Sequence, residues 1–477
     1  MVKANSSSAL KVEVGGGGQV GHVGLWLLGR FADRLGLGEA LSEAFGVSGV
    51  THDRGRLLVH LMLVLAGGGE AVTDIEVLGV QRELFGDVAS DSTLYRTLTK
   101  ADEGTSERLA GAVATLRERV WADFPAGGTV VLDIDSSVHE LHSENKDGAA
   151  ATYNSKYGFH PMYCFADWTG EPLAALLRRG NASPNKVADL TEVLDAAIAA
   201  LPPRMRVGHS PGDDPESVVY PIRVRADSAA GPAFAAECRR RNVGFSFVAQ
   251  SSDGIAEALS YVPVDDPAWE PALPQPRPLQ GNDPNSGQTD TGSSDTGLEH
   301  AEPTRPRSHV IELSGHVKAY RWPTDGLRLI IRREPKHPGA KTSLFDSDRW
   351  RYWGHWTDNP ASPPESDRDM RAHARVETNI ARIKDQGGSR FPFARFAPNR
   401  LWLYIVALAD TLVRWFQKLS LPKQHPLSRA KPKTLRWNLW HIPATIARHG
   451  RQTTLRIPAI WPTAPLIATT HQHIHTL

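Results

Sequence analysis

Cysteine is almost missing from this chain. Cys164 and Cys238 are the only two in 477 residues, and they show no CxxC spacing. A disulfide framework and a cysteine zinc site are excluded, and a reducing cytoplasm is the expected setting. Long apolar runs are also absent. The longest, Leu401 to Ala409, is bounded by Arg400 and Asp410 and falls far short of the ~20 residues of a membrane span, so no membrane partner is expected. The first eighteen residues are polar and glycine-rich, without the apolar segment of a secretory leader. Gly15 to Gly18 lack the Lys-Ser/Thr ending of a phosphate loop. Ser137, His139, His142 and Glu144 have no nucleophile elbow or HExxH beside them, and read as loop polar residues. His471, His473 and His475 read as a frayed tail.

Acidic residues are scarce in one place only. Residues 371–477 hold seventeen Lys and Arg against Glu377, Asp385 and Asp410, a net of +14 in a chain whose total is +1. The first 370 residues therefore stand at −13. A polyanion is the expected partner of the C-terminal quarter, because each neutralised phosphate releases counterions. Its charges alternate with Phe391, Phe393, Phe396, Trp402, Trp415, Trp437 and Trp440.

At this length two to four folding units are expected. Residues 1–20 read as disordered. Residues 21–125 read as a helical domain, with Leu25, Leu28, Phe31 and Leu35 at helical spacing; its role, packing or DNA docking, stays open. From 126 to 250 the pattern turns α/β. Val130–Asp135, Tyr157–Asp167 and Glu171–Arg178 read as three strands in a row. A helix over 185–200, a strand over Val218–Asp227, a helix over 228–241 and a strand from Val243 to Gln250 follow. That succession predicts an RNase H-like mixed sheet flanked by helices. Residues 251–369 read as a β-rich insertion with a disordered loop at 266–308. Closing helices at 370–420 and a basic tail at 421–477 complete the chain. One helix is expected from Met370 to Asp385, stopped by Gly387-Gly388.

Three carboxylates carry the chemistry. Asp135 closes the first strand, Asp227 closes the fourth, and in an RNase H-like sheet those ends lie side by side. Glu377 sits on the helix that opens the basic region. Three such carboxylates can hold two divalent cations that drive phosphoryl transfer on nucleic acid. Asp133 shares a face with Asp135 and is the second candidate ligand; Asp135 is preferred because it stands nearer the strand end. Seven residues separate Glu377 from Lys384, which puts them within about 20° on one helix face and roughly 10 Å apart along it. His373 shares that face. Lys384 suits a phosphate contact flanking the metals.

These pieces resemble the DDE transposases of bacterial insertion sequences whose RNase H-like core is split by a β-rich insertion. The matching segments are Val-Leu-Asp-Ile-Asp-Ser-Ser (131–137), Tyr-Gly-Phe-His-Pro (157–161), Leu-Arg-Arg-Gly-Asn-Ala (177–182) and Val-Arg-Ala-Asp-Ser (224–228). Further along stand Leu-Ile-Ile-Arg-Arg-Glu (329–334), Ala-Arg-Val-Glu-Thr-Asn-Ile-Ala-Arg-Ile-Lys-Asp (374–385) and Asn-Arg-Leu-Trp-Leu (399–403). The specificity lies in their joint order.

The resemblance implies a catalytic triad of Asp135, Asp227 and Glu377 and a signature lysine at Lys384. It implies two Mg²⁺ ions, with Mn²⁺ as a substitute, and cleavage at transposon ends followed by strand transfer into target DNA. The partners it implies are the element's own terminal inverted repeats, target DNA, and a second copy of the chain in the DNA complex. Expected DNA contacts are Lys384, Arg371, Arg375, His373 and Arg382, with Lys433, Arg436, Arg448 and Arg451 in the tail. The related signature Tyr-x2-Arg-x3-Glu-x6-Lys has Met370 and His373 here in place of its tyrosine and arginine. Arg371 and Arg375 are the neighbours able to supply that charge. Two rival readings accompany the transposase: an inactive DNA-binding derivative, and a metal-dependent nuclease of the same fold without strand transfer.

Overall fold

The computed structural model describes residues 14–15, 17–46, 51–143, 145–250, 255–275, 308–317, 321–336 and 349–477. Its centre is a nine-stranded sheet. The strands in chain order are β1 (Val130–Ser136), β2 (Met162–Ala166), β3 (Pro172–Leu176), β4 (Ile222–Ala226), β5 (Val243–Val248), β6 (Glu270–Pro271), β7 (His309–Glu312), β8 (Arg328–Pro335) and β9 (Trp350–Thr357). The spatial order is β6-β7-β8-β9-β5-β4-β1-β2-β3. β1 pairs antiparallel with β2 and parallel with β4, and β4 pairs parallel with β5. The five strands β3-β2-β1-β4-β5 have the order and polarity of an RNase H-like core. β1 and β4 read as apolar runs because both faces of this sheet centre are covered.

The insertion does not form a separate β unit. β9 pairs antiparallel with β5, with His355 opposite Val248, so the inserted strands extend the same sheet outward from its edge. Most of the expected loop, 276–307, lies outside the described residues. The strand expected over Tyr157–Asp167 is two. Tyr157–Phe159 joins a small sheet with His139–Glu140 and Ala150–Ala151, and only Met162–Ala166 enters the main sheet. Pro161, with no N–H to give a ladder, marks the change of partner.

Both termini fold back onto the core. Gln19–Val20, expected to be disordered, pairs with Ala444–His449, which pairs in turn with Gln452–Arg456. Residues 1–13 lie outside the described set. The C-terminal helix Ala464–Thr476 is not a frayed tail, for His471 stacks on Trp26 at 5.3 Å between ring centroids. Buried residues from Val20 to Ile474 form one continuous hydrophobic cluster. The N-terminal helices pack on the long helix Phe396–Ser420 through contacts such as Phe31 on Phe416. Burial of Glu171 fastens these layers. Its carboxylate accepts from Trp121 Nε1 at 2.6 Å, Arg117 Nε at 3.0 Å and Trp415 Nε1 at 2.9 Å, joining the helical region, the β2–β3 turn and the closing helix. Among the described residues no helix is long and apolar enough to cross a membrane.

Candidate active site

The parallel register of β1 and β4 places the first two carboxylates. Asp133 lies opposite Arg225 and Ile134 opposite Ala226; one step further puts Asp135 beside Asp227. Asp227 has just left β4, and its Oδ1 accepts from Ala229 N at 2.9 Å, which fixes the turn that follows. Glu377 stands exposed in the first turn of the helix Arg375–Ile383. The Asp135 carboxyl is pushed up to about 6, first by burial and then by the Asp227 charge, with Glu377 adding a smaller repulsion. The Ser136 amide and His373 oppose that rise. The strand register sets Asp135 beside Asp227, and the Glu377 charge reaches Asp135 more weakly.

One layer deeper on the same face lies an ion-pair knot. Arg225 Nε and Nη2 each donate to Asp133 at 2.8 Å, and both side chains are 1% exposed. Arg225 also reaches Asp167 Oδ1 at 2.8 Å and the Asp369 carbonyl at 2.7 Å. His373 donates through Nδ1 to Asp133 Oδ1 at 2.8 Å; an ionised carboxylate only accepts, so the proton is on Nδ1. Burial pushes the Asp133 carboxyl upward, but the His373 hydrogen bond and the Arg225 charge outweigh it and hold it below the usual range. Asp133, the second candidate ligand, thus has both oxygens engaged by protein donors.

His373 also marks a break that periodicity did not show. The single helix expected over 370–385 is two, Pro363–Ala372 and Arg375–Ile383. The first starts well before Met370, from the Ser362–Glu365 capping box with Pro363 behind it. The break at 373–374 leaves His373 on Asp133 and starts a new helix with Glu377 exposed in its first turn. The second helix ends as Gly387-Gly388 imply. Gly387 sits at φ +92°, where any side chain is strained. His139 secures this turn, giving Nδ1–H to the Gly388 carbonyl at 2.5 Å and accepting from the Tyr163 hydroxyl at 3.0 Å. Lys384 Nζ donates to Ser137 Oγ at 2.7 Å and to the Val138 carbonyl at 3.0 Å, so it lies over the end of β1, next to Asp135. Glu144 lies outside the described residues.

The expected DNA contacts divide by exposure. Lys433 and Arg451 are exposed, and Arg448 is exposed with one bond to Glu83 at 3.0 Å. Arg375 is half exposed and pairs with Asp167 at 2.9 Å. Arg371 pairs with Asp367 at 2.9 Å. Three do not face solvent as expected, and His373 is one, 11% exposed and turned onto Asp133. Arg382 is buried, bonded to Asp410 at 3.0 Å and to the Ala430 carbonyl at 3.0 Å. Arg436 bridges Asp385 and the Ala66 carbonyl. Helix periodicity gives a face, but which faces are covered depends on the closing helix.

Sequence reasoning missed Arg225. A signal existed: an arginine inside an apolar strand needs a buried partner, and the unexplained Asp133 was waiting on the neighbouring strand.

Among the described residues, no group of three or more His, Cys, Asp or Glu side chains stands in a position to hold a metal ion. The donor set nonetheless fits a hard divalent cation in kind. It is all carboxylate oxygen, both cysteines are buried elsewhere, and the repulsion that raises Asp135 is the repulsion a bound cation relieves.

An RNase H-like core with Asp135 and Asp227 at neighbouring strand ends defines the class. The chain belongs to the family described as Transposase DDE domain group 1, which matches residues 2–477; by family it is a transposase. It is also similar to a solved piggyBac transposase in a synaptic complex with hairpin DNA, at 10% identity and a TM-score of 0.39, over 88% of this chain and 80% of that one. That likeness is too distant to carry an argument. No curated protein matches the chain.

Proposed function

We propose that this transposase cleaves DNA at the ends of its own element and joins them to target DNA, using two divalent cations held by Asp135, Asp227 and Glu377. The observation that carries the reading is the register of β1 on β4, which sets Asp135 beside Asp227 in a chain of the DDE transposase family. Mg²⁺ bound there, or Mn²⁺ in its place, would supply Lewis-acid stabilisation of the scissile phosphate and a nucleophile active near neutral pH. Asp133 is left out of the ligand set because Arg225 and His373 occupy its oxygens. Instead it ties β1 to β4 through Arg225 and to the junction before the Glu377 helix through His373.

Lys384 supplies a positive charge beside Asp135 for the backbone phosphate next to the cut. Arg375, close to Glu377 in the chain, offers a second. Lys433, Arg448 and Arg451 extend DNA contact along the C-terminal region, while Arg382 and Arg436 act within the fold. The DNA is the terminal inverted repeats and then target DNA, brought together by a homodimer. Two buried free cysteines agree with a reducing cytoplasm.

The test is strand cleavage and joining on a DNA fragment carrying the inverted repeats that flank the gene, with Mg²⁺, comparing wild type with Glu377→Gln. Joined products that vanish in the variant support the transposase. Cutting without joining favours a nuclease. The second reading, an inactive DNA-binding derivative, draws on the lack of a ready-made metal cluster among the described residues; DNA binding without cutting would establish it.

A further inference from the structure

A second basic feature lies at the other end of β2 from the carboxylates. Tyr163 of β2 pairs with Asp135, and Trp168 follows the strand's far end. Five strand residues span about 16 Å, the length of roughly five nucleotide steps of a DNA strand. Trp168 lines a cleft of about 420 Å³ together with Arg414, Lys418, Lys423, Arg429 and buried Arg382.

The charges in this cleft are unequal. Asp123 is its single acidic lining residue and is held by Lys418 Nζ at 2.7 Å. Arg414 is fixed by Asp410 at 2.6 Å and by the Thr169 carbonyl at 3.1 Å. Lys423 and Arg429 are exposed, and neither has a carboxylate partner among the described residues. Trp168 is 45% exposed. Its ring packs on Phe124 at 5.3 Å and lies under Lys418 Nζ at 5.1 Å, so it is braced while part of its surface faces the cleft.

We propose that this cleft binds the phosphodiester backbone of DNA at a point several nucleotides from the catalytic carboxylates. The proposal rests on reading the protein as a transposase that acts on DNA. Excess cations exclude a cationic ligand, and the charged lining disfavours an apolar one. A phosphate ester matches both the charge and the aromatic ledge. A link to the catalytic layer exists as well. Asp167, immediately before Trp168, accepts from both Arg225 and Arg375, and Arg414 donates to Asn379 on the helix of Glu377 at 3.0 Å.

The experiment measures binding of the full chain to a duplex of its terminal repeat by fluorescence anisotropy, in EDTA, over a range of salt. Neutralising Lys423 and Arg429 together (Lys423→Ala, Arg429→Ala) should weaken binding about tenfold. It should also lower the slope of log K against log salt by about 1.8, at ~0.9 per phosphate contact. Trp168→Ala should weaken binding with no change in slope. Unchanged affinity and slope in the double variant would overturn the proposal, as would an equal loss of affinity at every salt. Titration with inorganic phosphate covers the other source of the same chemistry. Phosphate binding that is lost in the double variant, with DNA affinity intact, would assign the cleft to a free anion and sink the proposal.

Because Lys423 and Arg429 are exposed and have no carboxylate partner among the described residues, the variant should melt with the wild type, and Lys423→Arg, Arg429→Lys should restore the slope. Failure of the cleft leaves strand joining untouched as a separate readout, whereas loss of joining in Glu377→Gln does not alter this binding curve.

Discussion

Asp133 and Arg225 face each other across neighbouring parallel strands, joined by two contacts of 2.8 Å and closed off from solvent. The next layer up on the same face is Asp135 beside Asp227. One register thus supplies a neutralised pair that holds the sheet and, directly above it, an unneutralised pair that repels. Breaking the lower pair should cost stability more than chemistry. Arg225→Met should destabilise by about 3–5 kcal/mol, the usual penalty for leaving a buried charge unpaired, read as a lowered denaturant midpoint. Equal stability would show that Asp133 is not charged in the folded state.

The upper pair predicts the reverse. Asp135→Asn should abolish strand cleavage, a loss of at least ~10³-fold or about 4 kcal/mol of barrier, while the protein becomes more stable in the absence of metal by on the order of 1 kcal/mol. The sign follows from Asp135 being raised to about 6. The folded state holds this proton more tightly than the unfolded chain, so the ionised group opposes folding above pH 6. A less stable Asp135→Asn in EDTA would contradict the repulsion.

Cation binding has a readout that needs no substrate. Mg²⁺ should raise the melting temperature of the wild type, by an amount corresponding to about 2.7 kcal/mol at a hundredfold excess over Kd. Asp227→Ala and Glu377→Gln should shrink that increment, and Asp133→Asn should keep it at the level its lower baseline allows. An increment unaffected by all three substitutions would place Mg²⁺ elsewhere.

Exposure should separate the arginines of the basic region. Arg451→Ala and Lys433→Ala should leave folding unchanged and each lower the salt slope of DNA binding by about 0.9. Arg382→Ala should instead destabilise by about 1.5–3 kcal/mol, since it removes a buried charge-assisted hydrogen bond to Asp410 while Arg414 keeps that carboxylate paired. Circular dichroism melts and anisotropy titrations on the same samples tell these outcomes apart.

Buried histidines make the fold acid-sensitive. Burial holds His60 at about 4 and His139 and His355 at about 3, below the ~6.5 of an unfolded chain. Their folded values are depressed, so the unfolded state binds more protons as pH falls. Stability is therefore fully present above ~6.5 and is lost as pH falls through the folded values. At pH 5 each should cost about 2 kcal/mol. His355→Gln should flatten the fall in melting temperature between pH 6.5 and 4.5, and a fall as steep as the wild type's would remove His355 from that account.

The features legible in the residues alone are local and periodic. Strands β1, β4 and β5, the long closing helix, the acids at two strand ends and the helix stop at Gly387 follow from hydrophobic spacing, terminal residues and the special conformation of glycine. The excess positive charge after Met370 is pure composition. Features that depend on partners distant in the chain emerge from the fold. Pro161 divides a run that reads as one strand, because the second half finds a different neighbour. The insertion extends the sheet, because β5 would otherwise be an unpaired edge. Met370 to Asp385 breaks at His373, because a carboxylate 240 residues earlier holds that ring. Asp133 and Arg225 neutralise one another, and Arg382 turns inward to Asp410, because charge is settled by what lies within a few ångströms in space and periodicity does not report it.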